Sequence, residues 1–141
     1  MLNLPAYMGV WYEIGRKNAP FEAQCYRSIA EYQLNKNGTV NVTNYCLNNM
    51  GNVASKITGV ATPVSNTELS IVFEGGQRGI YSILWTDYDH YSFVGDVNTG
   101  YLSILSRHIE QSSGEISLLN KLAEMYGFYN VTFKFIPKQC A

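Results

Sequence analysis

From Val10 to Ser106 the chain alternates short runs of β-type residues with clusters of turn-forming ones. The clearest run is Thr39 to Cys46, where Val40, Val42 and Asn44 fall on one side and Asn41, Thr43 and Tyr45 on the other. A period of two residues is the mark of a strand whose faces meet different surroundings. Asn35-Lys-Asn-Gly38, just before it, is a turn rich in residues that tolerate positive φ. The same reading predicts strands over Val10 to Arg16, Cys25 to Leu34, Lys56 to Thr62, Leu69 to Phe73, Gly79 to Thr86, Tyr91 to Gly95 and Tyr101 to Ser106. That makes eight, and each connection is short enough for neighbours in sequence to pair. An antiparallel up-and-down barrel satisfies this better than a sandwich does.

After Arg107 the period changes. Ile116, Leu119, Leu122, Ala123 and Tyr126 share one helical stripe. Ser112 and Glu115 have the spacing of a capping box, and Gly127 fits the left-handed position that ends a helix. One amphipathic helix has one face to bury, and the outer wall of the barrel is the available partner. Val131 to Ile136 alternates again as a short last strand. The expected architecture is all-β: an eight-stranded antiparallel barrel with one C-terminal α-helix packed outside, a single domain over residues 1–141.

Composition narrows the functions open to such a barrel. The 141 residues are 46% hydrophobic and carry a net charge of −1. That balance supplies no basic field for phosphates, so nucleic acid is not an expected partner. Tyrosine is abundant, with eleven copies that combine apolar area with a hydroxyl needing a partner. No leader pattern of charged and then apolar residues precedes the first strand, which reads as a mature form. Three cysteines, Cys25, Cys46 and Cys140, match no zinc or CxxC spacing. Asn37, Asn41 and Asn130 open glycosylation sequons, relevant only along a secretory route. No metal site and no cofactor are expected.

Three short motifs occur in a fixed order. Gly9-Val-Trp11-Tyr12-Glu13 opens the first strand, where a Trp can plug one end of a barrel and Gly9 lets the chain approach closely. Thr86-Asp87-Tyr88 sits at the turn between the sixth and seventh strands, and Arg107 ends the eighth. An Arg there can lay its guanidinium on the Trp face. With Tyr7-Met-Gly-Val-Trp-Tyr-Glu-Ile-Gly-Arg16, Phe21-Glu22, Gly59-Val-Ala-Thr-Pro63 and Tyr101-Leu-Ser-Ile-Leu-Ser-Arg107, the chain resembles the lipocalin family, in its bacterial lipocalin and apolipoprotein D branch. The resemblance spans essentially the whole length. It implies a barrel closed at one end and open at the other, with Gly9, Trp11, Thr86, Asp87, Tyr88 and Arg107 as scaffold.

Strand alternation with the family register gives a candidate inner face: Ala30, Tyr32, Val42, Asn44, Ile57, Ile71, Phe73, Tyr81, Ile83, Tyr101 and Ser103. A set of this kind, apolar and aromatic with a few polar groups, suits a small hydrophobic ligand. The resemblance implies the fatty acid or lysophospholipid class, bound for transport or storage. Arg16, Arg27 and Arg78 are expected near the open rim. By resemblance to apolipoprotein D, Cys25 pairs with Cys140 and pins the tail; a hairpin turning near Lys36 offers the rival pair Cys25–Cys46. His90 and His108, the two histidines, lie beside strand ends. The residues therefore favour a binding module over an enzyme. The alternatives are a lipocalin-fold enzyme or haem carrier, with His90 or His108 as axial ligand, and a protein-binding barrel with no lipid ligand. An intracellular fatty-acid-binding barrel would place its helices near the N-terminus, not after the eighth strand. The expected location is secreted, periplasmic or membrane-anchored, as a monomer or homodimer, with peripheral membrane association allowed.

Overall fold

The computed structural model describes residues 2–18, 25–96, 100–134 and 136–138. A one-turn helix, α1 (Leu4–Tyr7), leads into β1 (Gly9–Lys17). There follow β2 (Arg27–Leu34), β3 (Val40–Leu47), β4 (Val53–Pro63), β5 (Glu68–Phe73), β6 (Arg78–Thr86), β7 (Tyr91–Asp96) and β8 (Tyr101–Ser106). Helix α2 (Ser113–Met125) and a two-residue strand, β9 (Thr132–Phe133), complete the order. Each of β2 to β8 pairs antiparallel with its neighbour in sequence, and β1 pairs with both β8 and β2. The sheet therefore closes on itself as an eight-stranded barrel, as expected. The last strand is shorter than Val131 to Ile136 and adds to the edge of β1, at Gly15↔Phe133 and Arg16↔Thr132.

Alternating faces of the same strands feed two separate cores. Inward, Tyr7, Trp11, Tyr32, Val40, Val42, Ala61, Leu69 and Ile71 pack one end of the barrel solid. Outward, Ile14, Phe93, Leu102 and Ile104 meet Leu119 and Ala123 of α2 and the following Phe128. Helix α2 begins as the sequence predicts. Ser112 Oγ accepts from Glu115 N at 3.1 Å, and Glu115 Oε1 accepts from Ser112 N at 2.8 Å. It ends with Gly127 at φ +90°, while Gly127 N donates to Glu124 O and Phe128 N to Ala123 O. These are the two bonds that satisfy the last carbonyls of a helix.

The closed end is built around Trp11, which is fully buried. Its Nε1 donates to Tyr7 O at 2.9 Å, and its ring stacks on Tyr7 with centroids 5.1 Å apart. Tyr7 in turn shares a 2.7 Å hydrogen bond with Ser92 and packs on Tyr32. Arg107 lies over the Trp11 ring at 3.7 Å from its centroid. It also donates to the carbonyls of Tyr88, Val10, Ala6 and Tyr7. Asp87 shapes the β6–β7 turn by accepting from His90 N and Tyr91 N, and Thr86 Oγ1 accepts from Tyr88 N. Tyr88 itself takes φ +64°, and its hydroxyl oxygen accepts from Asn3 N.

The cysteines differ from the expected pairing. Cys25 is bonded to Cys46, with Cα atoms 5.3 Å apart, in place of Cys25–Cys140. The β2–β3 register explains this: Ser28 lies opposite Cys46, and Tyr26 N donates to Leu47 O, so the chain entering β2 passes beside the end of β3. Cys140 lies outside the described residues, as does Phe21-Glu22.

Candidate functional site

At the end of the barrel opposite Trp11 the interior is hollow. The cavity measures about 430 Å³ and opens to solvent. Seven of the eleven inner-face residues line it: Ala30, Tyr32, Asn44, Ile57, Tyr81, Tyr101 and Ser103. The other four do not. Val42 and Ile71 are fully buried in the closed-end core, Ile83 is almost so, and Phe73 packs against the same cluster. Those four point inward, but in the half of the barrel that side chains fill.

The wall is more polar than the expected set. Glu13, Arg16, Ser28, Ser55 and Lys56 all contribute, beside Ile29, Val94 and Leu105. Glu13 is 6% exposed and sits at the centre of a polar group. Its Oε1 accepts from Arg16 Nε at 2.5 Å and its Oε2 from Ser103 Oγ at 2.5 Å. The phenols of Tyr81 and Tyr101 lie on the same wall as Glu13. Burial raises the pKa of both phenols, and of Tyr32 more strongly, with the Glu13 charge acting in the same direction. The hydroxyls therefore keep their protons at physiological pH and face the cavity as neutral donors and acceptors.

Local geometry accounts for Arg16. The β1–β8 ladder shifts register between Glu13 and Gly15. A bulge inserts one extra residue, so the side chains beyond it exchange faces. Glu13 and Arg16 thus both reach the interior, while Ile14 joins the outer core beneath α2. Of the arginines expected at the rim, Arg16 lines the cavity, Arg27 is buried at the start of β2, and Arg78 is exposed on β6. His90 and His108 lie together near Arg107, with ring centroids 6.4 Å apart, and neither lines the cavity. Among the described residues no cluster of histidine, cysteine or carboxylate side chains has the form of a metal site.

A closed eight-stranded barrel, plugged at one end, hollow at the other and flanked by one helix, defines a class of small-molecule binding proteins. The family model for the lipocalin-like domain matches residues 2–138. The outer membrane lipoprotein Blc of Vibrio cholerae is 32% identical over 138 residues, covering 94% of this chain and 81% of that protein. Apolipoprotein D of Bos taurus is 38% identical over 98 residues, 66% of this chain and 50% of that protein. Among solved structures, lobster apocrustacyanin A1 superposes with a TM-score of 0.69 at 23% identity, covering 98% of this chain and 82% of its own. The chain belongs to the lipocalin family, in the branch of Blc and apolipoprotein D. Members of that family bind small hydrophobic ligands and are generally binding or transport proteins.

Proposed function

We infer that this protein binds a small lipid, of the fatty acid or lysophospholipid class, in the barrel cavity for transport or storage. The observation that carries the reading is the hollow of about 430 Å³ above a packed apolar floor. Tyr32, Val94 and Leu105 belong both to that floor and to the cavity wall, so a ligand's apolar part meets apolar surface at its deepest point. Each methylene buried there is worth about 0.8 kcal/mol. Roughly ten of them reach about 8 kcal/mol, which corresponds to micromolar affinity. The eleven inner-face residues divide accordingly: the seven on the wall touch the ligand, and Val42, Ile71, Phe73 and Ile83 hold the floor beneath it. No catalytic role is assigned: Glu13, the one carboxylate among the described wall residues, is already engaged by Arg16 and Ser103.

The Cys25–Cys46 bond fits an oxidising compartment. It supports a place outside the cytosol: secreted, periplasmic or membrane-anchored. Titration of delipidated protein with a fluorescent fatty acid tests the carrier reading. A saturable signal in the micromolar range is expected, and its absence overturns the proposal. Native mass spectrometry of the purified protein identifies what the cavity retains and whether the chain is a monomer or homodimer.

A further inference from the structure

The cavity wall carries a covalent bond as well as side chains. Cys25 and Cys46 both line the hollow, so their disulfide is part of the surface that a ligand meets. Cys46 lies level with Ser28 and Ser55, in the inward-facing row nearest the mouth. Cys25 precedes β2 and belongs to no strand, so no ladder holds it in place. The β1–β2 ladder ends at Tyr12↔Ile29, which leaves Arg27 and Ser28 in register with β3 alone. The segment entering β2 is held by the disulfide, by Tyr26 N donating to Leu47 O, and by Lys134 Nζ donating to Cys25 O and Tyr26 O. Of these ties, the disulfide is the covalent one.

Its surroundings suit thiol–disulfide exchange. Cys25 is 5% exposed whereas Cys46 is half-buried, so a thiolate entering at the mouth meets the Cys46 sulfur. Attack there forms a mixed disulfide on Cys46 and expels Cys25 Sγ as the leaving thiolate. Ser28 Oγ, 3.4 Å from that sulfur, is placed to donate to it, and Arg27 O, also at 3.4 Å, accepts once the sulfur is protonated. The ammonium of Lys134 at the Cys25 carbonyl favours the anion. A second thiolate then attacks the mixed disulfide and frees Cys46. Two protein thiols form as two small thiols lose their hydrogens and couple to one another, so protons and electrons balance.

We propose that the Cys25–Cys46 pair is a redox latch on the cavity: oxidised, it keeps the mouth wall closed on the lipid, and reduced by a low-molecular-weight thiol it lets Cys25 swing away and the lipid leave. This rests on the carrier reading and adds a release step to it. Linkage makes the effect reciprocal. Whatever factor the bond adds to lipid affinity, bound lipid adds to the bond's resistance to reduction. A carrier loaded where disulfides persist therefore unloads on reaching a thiol-rich compartment.

Calorimetric titration of dodecanoate into the delipidated full-length protein, oxidised and then reduced with excess dithiothreitol, reads the latch. Withdrawing Cys25 uncovers roughly two methylenes of the tail, so the oxidised form binds about tenfold tighter. The double variant Cys25→Ser, Cys46→Ser binds as the reduced protein does and ignores the reductant, while Cys140→Ser keeps the native response. In dithiothreitol redox buffers, saturating dodecanoate lowers the midpoint potential by about 30 mV, the same factor expressed for two electrons. Equal affinity in the two redox states, or a midpoint that dodecanoate does not move, overturns the latch and leaves the carrier reading intact. A response abolished by Cys140→Ser overturns it too, by assigning the effect to another thiol. A reduced protein that loses its native circular dichroism shows a staple of the whole fold, not a latch on the mouth, and also overturns it. No binding by either form overturns both readings.

Discussion

Replacing Arg107 with alanine removes one guanidinium that touches four backbone carbonyls and one indole. Its distance of 3.7 Å from the Trp11 centroid is well inside the range of a cation–π contact, worth about 1 kcal/mol at a partly exposed site. The carbonyls of Tyr88 and Val10 receive well-formed bonds at 3.0 and 2.9 Å, and those of Ala6 and Tyr7 share Nη2 at 3.2 Å. Charge-assisted bonds contribute roughly 1.5 kcal/mol each. The two on Nη2 count as one, and water replaces part of the rest once the side chain is gone, so a net loss of about 3 kcal/mol is expected. For a chain of this size that lowers Tm by roughly 10 °C. Arg107 does not line the cavity, so lipid affinity should change by less than about threefold. Arg107→Lys keeps a charge near Trp11 but not the planar fork, and should recover less than half of the loss. The assay is a thermal melt by circular dichroism beside a fluorescent fatty acid titration on the same samples. A Tm within about 2 °C of the native value, or an affinity loss outranking the stability loss, refutes the plug reading.

Peptide mapping without reduction should recover Cys25 linked to Cys46 across their separation of 21 residues, and reduction should cost about 3 kcal/mol of unfolding free energy; a Cys25–Cys140 peptide would reverse that assignment. Gly95→Ala should lower the urea midpoint by the equivalent of about 2 kcal/mol or more, because a Cβ there overlaps the Tyr101 carbonyl on the neighbouring strand; an unchanged midpoint removes the close-approach argument. Lys138, the Ser112 backbone and Tyr91 together hold the Glu115 pKa at about 2, below its ordinary 4.5. A depressed carboxylate contributes fully above its unfolded value and loses that contribution as pH falls towards the folded one. The stability gap between native protein and Glu115→Gln should therefore be constant above about pH 5 and shrink towards pH 2, and a gap independent of pH counts against the network.

The barrel was legible because strand alternation and turn residues recur so regularly; the last strand predicted before the helix, Tyr101 to Ser106, matches β8 at both ends. The helix ends were legible because Ser112, Glu115 and Gly127 act through their own backbone neighbours. Three features were less so. Helix α1 is a single turn, too short to show a period; its signal was Asn3, which caps it by accepting from Ala6 N, with Pro5 in the first turn. The disulfide was legible only as the rival pair that the hairpin near Lys36 offers, because the resemblance to apolipoprotein D favoured Cys25–Cys140. The charged part of the cavity depends on the β1 bulge. Strict alternation from Trp11 keeps Glu13 and Gly15 inside and sends Arg16 out; the shift between Glu13 and Gly15 reverses the last two.

Why this barrel is hollow only at one end follows from residues that lie level with one another across β2, β3 and β4. Tyr32, Val42 and Gly59 form one row facing inward, Ala30, Asn44 and Ile57 the next, and Ser28, Cys46 and Ser55 the third. Passing from the plug to the mouth, the bulk facing inward falls and its polarity rises. The eighth strand repeats the trend from Leu105 to Ser103. Large apolar side chains can exclude water and fill the axis; serine, alanine and asparagine leave it open and tolerate solvent. The gradient makes a site that is dry at its base and wet at its rim, the profile of an amphiphile standing on its tail. A lipid entering head first would bury its polar group against Tyr32, Val94 and Leu105 and leave its chain in water, so only the opposite orientation lets both ends find their own surroundings.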